Sequence, residues 1–116
     1  MKALITGGAG YIGSELVGYM LEAGFQVCVV DNLEYGPESL LRYAGHERFD
    51  FEMLDVRRLD LLRERVEEAD VIIPLACLVG FPLCEQRPKE AIEINFDVNK
   101  WVAEIKRPEQ ILIYPC

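Results

Sequence analysis

The chain has 116 residues, 51% hydrophobic and 28% charged, the proportions of an ordinary globular protein with one domain over residues 1–116. Its net charge of −8, from 12 basic and 20 acidic residues, argues against a nucleic-acid partner, since such binding rests on a basic surface that displaces counterions. No apolar run approaches the roughly 20 residues that span a bilayer, and Met1-Lys2 passes into a short apolar run without a leader-like h-region, so a cytoplasmic protein without membrane contact is expected.

Apolar runs alternate with helical patterns along the chain. "KALIT" is a first short strand. Residues 11 to 23 carry Ile12, Leu16, Val17, Met20 and Leu21 at helical spacing as an inward face, and Gly24 supplies a stop. "FQVCVVD" reads as a second strand, buried on both faces because its apolar residues run nearly unbroken. "NLEYGPESL" is a loop, with one or two helical turns over Ser39 to Ala44. "RFDFEMLD" alternates as a third strand, and "VRRLDLLRERVEEA" forms an amphipathic helix with Leu59, Leu62 and Val66 inward. "DVIIPLAC" is a fourth strand in which Pro74 predicts a bend or an unpaired backbone position. After a loop, "PKEAIEINFDVNKWVAEI" reads as one long helix with Pro88 near its start, and "QILIY" is a fifth strand. This alternation predicts an α/β fold, a parallel sheet of about five strands with helices on both faces.

The cysteines at 28, 77, 84 and 116 include no CxxC pair, and the spacing of Cys77 and Cys84 matches no common zinc site. Buried, reduced thiols and no metal are expected. His46 stands in a polar loop and reads as solvated.

Between the first strand and first helix, Gly8-Ala9-Gly10-Tyr11-Ile12-Gly13 fits G-x-G-x-x-G. In that setting one glycine makes a tight turn, one admits a pyrophosphate to the backbone, and one lets helix and strand pack closely. The helix N-terminus offers free N–H groups and a positive dipole end, so the site needs no lysine and suits an acidic chain. Asp31 ends the second strand 18 residues after Gly13, where a carboxylate meets the adenosine ribose hydroxyls of a dinucleotide and repels a 2′-phosphate. NAD is therefore expected over NADP. S-adenosylmethionine enzymes also join a glycine loop to an acidic strand end, but they rarely need the third glycine.

"TGGAGYIGS", "DNLEYG", "LDVRR", "ADVIIPLACLVG" and "EAIEINFDVN" occur in that order and cover essentially the whole chain. Together they resemble the N-terminal blocks of the extended short-chain dehydrogenase/reductase family, in its branch of NAD-dependent sugar-nucleotide epimerases and dehydratases. The resemblance implies a Rossmann-type doubly wound sheet and a nucleotide-sugar substrate. It places Gly7, Gly10, Tyr11, Ile12 and Gly13 on the phosphates, Asp31 and Asn32 on the adenosine ribose, and Asp55 and Val56 beside adenine. Leu75, Ala76 and Cys77 would follow the nicotinamide-side ribose, and Asn95 matches a helix asparagine that faces the cofactor. Pro74 stands where the family usually has a polar residue, Cys77 replaces a common Ala or Gly, and Val98-Asn99 replaces a usual Gly-Thr. "LVGFPLCEQRP" would border the substrate.

The same resemblance implies a catalytic Tyr-x-x-x-Lys pair, yet none of Tyr11, Tyr19, Tyr35, Tyr43 and Tyr114 is followed by Lys at the fourth position. No catalytic residue is assigned, and the C-terminal part of the family fold, with its substrate lobe, is expected to be absent. Two readings stay open. One is the NAD-binding portion of a sugar-nucleotide epimerase or dehydratase, inactive alone; the other is a free-standing, non-catalytic dinucleotide-binding module. An apolar edge at "ILIY" predicts a homo-oligomer.

Overall fold

The computed structural model describes residues 1–79 and 81–115. The chain runs β1 (Lys2–Thr6), α1 (Tyr11–Glu22), β2 (Gln26–Asp31), a 3₁₀ turn (Glu38–Tyr43) and β3 (Phe49–Met53). It continues through α2 (Leu59–Glu68), β4 (Val71–Pro74), α3 (Phe81–Gln86), α4 (Pro88–Ile92), a π turn (Glu93–Asp97), α5 (Val98–Ile105) and β5 (Ile111–Leu112). All five strands lie in one parallel sheet of order β3-β2-β1-β4-β5. The expected Rossmann-type arrangement is therefore the observed one. The order reverses direction between β1 and β4, which opens a crevice at the carboxyl ends of those strands.

Alternation along β1 shows why both faces are covered. Ala3 and Ile5 pack with Val17 and Leu21 of α1, whereas Leu4 packs on the opposite face with Leu62 and Val66 of α2 and Val98 and Val102 of α5. Side chains two apart on a strand share a face, so one strand feeds two apolar layers. Leu62 and Val66 are buried as their spacing predicts, with Leu59 partly buried beside them.

Four expectations need correction. Ile12 does not join the inward face of α1; it is 69% exposed, because the first turn of the helix hangs over the crevice rather than the sheet. "FPLCEQ" is not loop but helix α3. The long helix over 88–105 is interrupted by the π turn, whose extra residue per turn rotates the following face. The fifth strand is only two residues long, for a reason carried by Pro74. The Ile113 N–H donates to the Ile72 carbonyl at 2.9 Å, and the next bond of that ladder would need an N–H on Pro74. The β1 side of β4 is untouched, since the Leu75 N–H donates to the Thr6 carbonyl at 2.9 Å.

The thiols also differ from expectation. Among the described residues Cys28, Cys77 and Cys84 are free, but Cys77 is exposed and the other two are only half-buried; Cys116 lies outside the described residues. His46 is half-buried, and its Nδ1 accepts the Arg48 N–H at 3.1 Å.

Candidate functional site

Close approach of backbones explains two of the glycines. Gly7 has φ +73°, and a Cβ there would lie 2.5 Å from the Ala76 nitrogen, so a side chain would separate the ends of β1 and β4. A Cβ on Gly13 would lie 2.6 Å from the Gly7 carbonyl oxygen and 2.7 Å from the Gly8 Cα, so α1 could not seat on the loop. Gly10 is different, being exposed with its nearest constraint, the Gly7 oxygen, at 3.3 Å. It precedes α1, whose first turn has no side-chain cap and no acidic residue. The N–H groups of that turn, including those of Tyr11 and Ile12, are thus left for an incoming anion.

Asp31 faces this loop from the end of β2. Its Oδ2 accepts the Ala9 N–H at 3.0 Å, and its Oδ1 accepts the Leu33 N–H at 2.8 Å. A carboxylate oxygen has two lone pairs, so each keeps one acceptor position for a hydroxyl pair. The second bond also holds Leu33 at φ +58°, a left-handed conformation that costs a non-glycine residue about 1–2 kcal/mol. Asn32 is exposed beside it, its Oδ1 accepting the Glu34 N–H at 3.0 Å.

A chain of ion pairs closes the same end of the crevice. Arg57 Nη2 lies 2.6 Å from Asp55 Oδ2, and its Nη1 lies 3.3 Å from Glu93 Oε2. Arg87 pairs with Glu90 and reaches Glu34 Oε1 at 2.7 Å. The hydrogen bonds from Arg57 hold the Asp55 carboxyl below its ordinary value of 3.8, and those from Arg87 do the same for Glu90. Val56, buried next to Asp55, presents an apolar wall.

At the opposite end, the backbone beyond β4 forms the floor. Leu75 is anchored on Thr6 as described, and the Ala76 N–H donates to the buried Thr6 Oγ1 at 3.3 Å. Asn95, expected to face a cofactor, spends its amide on protein backbone: it accepts the Leu78 N–H at 2.8 Å and donates to the Leu78 carbonyl at 2.8 Å. Its own carbonyl, inside the π turn, accepts Asn99 Nδ2 at 3.0 Å and the Tyr114 hydroxyl at 3.3 Å.

Every residue singled out from the sequence borders one cleft of about 650 Å³ over the β1–β4 seam: Gly7, Gly10, Tyr11, Ile12, Gly13, Asp31, Asn32, Asp55, Val56, Leu75, Ala76, Cys77 and Asn95. Ligand pockets typically run to about 300–1,000 Å³. The described lining holds Asp31, Glu34 and Asp55 but no Lys or Arg, so an anionic ligand must rely on backbone N–H groups. Glycines that leave backbone bare, an uncapped helix start and a carboxylate with free lone pairs together fit a dinucleotide. Glu34, Leu78, Asn99 and Tyr114 also line the cleft and were not identified from the sequence. Glu34, Leu78 and Asn99 each lie within four residues of one that was, whereas Tyr114 is brought to the cleft only by the fold, 19 residues beyond Asn95. Among the described residues no acidic, cysteine or histidine group could hold a metal, and no helix is long and apolar enough to cross a membrane.

Comparison with known proteins agrees with this geometry. A family model described as the NAD dependent epimerase/dehydratase family matches residues 3–113. An uncharacterized membrane protein of Methanocaldococcus jannaschii is 33% identical over 93% of this chain and 33% of its own length. A UDP-N-acetyl-alpha-D-glucosaminuronate decarboxylase of Bacillus cytotoxicus is 34% identical over 83% of this chain and 30% of its own length. The crystal structure of Thermus thermophilus UDP-glucose 4-epimerase in complex with NAD superposes with a TM-score of 0.74 at 27% identity, covering 90% of this chain and 33% of that one. The chain thus spans about a third of the length of the curated relatives it matches.

Proposed function

Because the chain belongs to the NAD dependent epimerase/dehydratase family, we propose that its cleft binds NAD and serves chemistry on a nucleotide-sugar. The observation that carries this reading is the juxtaposition of the Gly7–Gly13 loop, the uncapped start of α1 and the Asp31 carboxylate across one cleft. The Gly10–Gly13 backbone would take the pyrophosphate, and Asp31 and Asn32 the adenosine ribose. Asp55 and Val56 would border adenine, with Leu75, Ala76 and Cys77 beneath the nicotinamide end. Bound NAD supplies a hydride acceptor for a sugar carbon. Asn95 acts on that end indirectly, by fixing the Leu78 backbone.

Within these residues no tyrosine is followed by lysine at the fourth position; Tyr11, Tyr19, Tyr35 and Tyr43 precede Glu15, Ala23, Ser39 and Glu47 at that spacing. A general base is worth roughly 100- to 10,000-fold in rate, so the 116-residue chain is expected to bind without turning over. That expectation keeps a non-catalytic dinucleotide-binding module as the second reading. Calorimetric titration should show NAD bound in preference to NADP, and Asp31→Ser should narrow the preference by about tenfold, or 1.4 kcal/mol. Equal affinities in the parent chain would overturn the Asp31 assignment. Incubation with NAD and UDP-, GDP- or dTDP-sugars should yield no NADH absorbance and no new sugar. Turnover would reveal a base among these residues.

A further inference from the structure

We propose that Glu34 is a second determinant of cofactor choice, acting by holding the Arg87 guanidinium so that a 2′-phosphate finds no cationic partner. This rests on the dinucleotide reading above and adds a residue pair to it. Glu34 lines the cleft two and three positions from Asn32 and Asp31, on the loop that would carry the adenosine ribose. The loop is fixed there by the bond from the Glu34 N–H to Asn32 Oδ1. A carboxylate standing free at this place would only add to the repulsion that Asp31 exerts. This one is committed instead, taking Arg87 Nη1 at 2.7 Å across a separation of 53 residues.

Arg87 is the cation that could reverse the preference. A guanidinium presents paired N–H groups that match a phosphate, and it stays charged at every working pH. The described lining of the cleft contains no Lys or Arg, and Arg87 stands just behind it, bonded to the lining residue Glu34. Arg57, the nearest basic residue in the ion-pair chain, is engaged by Asp55 and Glu93. Arg87 is held from both sides: Glu90 takes its Nε at 3.1 Å and its Nη2, while Glu34 takes Nη1. Both carboxylates are about one third exposed, so neither pair is locked by burial. Losing Glu34 leaves Arg87 tethered to α4 through Glu90 with one face unpaired, beside the adenosine ribose position. Cofactor choice then follows from two carboxylates with separate tasks, Asp31 repelling the phosphate and Glu34 occupying its partner.

The test is calorimetric titration of NAD and NADP into the parent chain, Glu34→Ala, Glu34→Gln and the double variant Glu34→Ala/Arg87→Ala, with folding checked by circular dichroism. Glu34→Ala should improve NADP binding relative to NAD by about tenfold, the order expected for one new charge-assisted hydrogen-bonded contact. Glu34→Gln should give a smaller gain in the same direction, since a neutral amide still accepts from Arg87. The double variant should lose most of the gain. If the double variant keeps it, Glu34 acts only through its charge and the role of Arg87 is overturned. A parent chain that binds NAD while both Glu34 variants leave the NADP-to-NAD ratio within twofold overturns this proposal and leaves the NAD reading standing. A parent chain that binds neither dinucleotide overturns both.

Discussion

Cys77 and Cys28 show how residue surroundings divide one side chain into two behaviours. Burial pushes the Cys28 thiol up to about 11, so it is almost wholly protonated at neutral pH. Cys77 is raised in the same direction by burial but is exposed on the wall of the cleft. Iodoacetamide at pH 8 should therefore label Cys77 well ahead of Cys28, read by peptide mass spectrometry. Saturating NAD should slow the Cys77 reaction several-fold and leave Cys28 unchanged. Equal protection of both would point to global stabilisation rather than occupation of the cleft. The exposure of Cys77 was not legible in the sequence, because its apolar neighbours suggested a strand running through it. The strand ends at Pro74, and the backbone beyond it turns along the cleft.

Among elements, the π turn connects an irregularity to a site. A regular helix through 93–97 would present Asn95 on a different face, whereas the extra residue aims its amide at Leu78 and frees its carbonyl for Asn99 and Tyr114. Asn95→Ala would strip two hydrogen bonds from the Leu78 backbone and should cost about 1–3 kcal/mol, since Leu78 is buried and its groups would lose protein partners. Urea unfolding measures this, and Asn95→Asp should recover part of it by keeping the acceptor for the Leu78 N–H. A loss below about 0.5 kcal/mol would mean that water replaces the clamp. Helical periodicity marked the segment 88–105 as helical, because the α-helical turns on either side of the π turn keep their usual spacing. It could not register one extra residue in a single turn. The helical character of "FPLCEQ" was hidden for the opposite reason, as six residues are too few to establish a period.

At the scale of the whole molecule, β5 lies at the sheet edge, and Ile111, Ile113 and Tyr114 are each about half exposed. Unpaired edge backbone flanked by apolar side chains is a template for pairing with another chain. Light scattering across a concentration series is expected to show dimers or larger species, and Ile113→Lys should shift them toward monomer. A monomer at high concentration would remove this edge as an interface. The sheet and its layering were legible in the sequence because Leu4 and Ile5, or Val29 and Val30, are both apolar, which only a strand covered on two faces requires. The ion-pair chain through Glu34, Arg87, Glu90 and Arg57 was not, since it joins residues up to 53 apart that carry no local pattern. The seam between β1 and β4 has a consequence for how the molecule opens. The β1–α1–β2–β3 half and the β4–β5 half exchange sheet hydrogen bonds only along that line, and the cleft sits across it. A ligand spanning the cleft would act as a latch between the halves, adding about 2.7 kcal/mol at a concentration 100 times its Kd. Amide hydrogen exchange at Thr6 and Ile73, whose N–H groups face each other's strands across the seam, would then slow together, as the two leaves of one hinge.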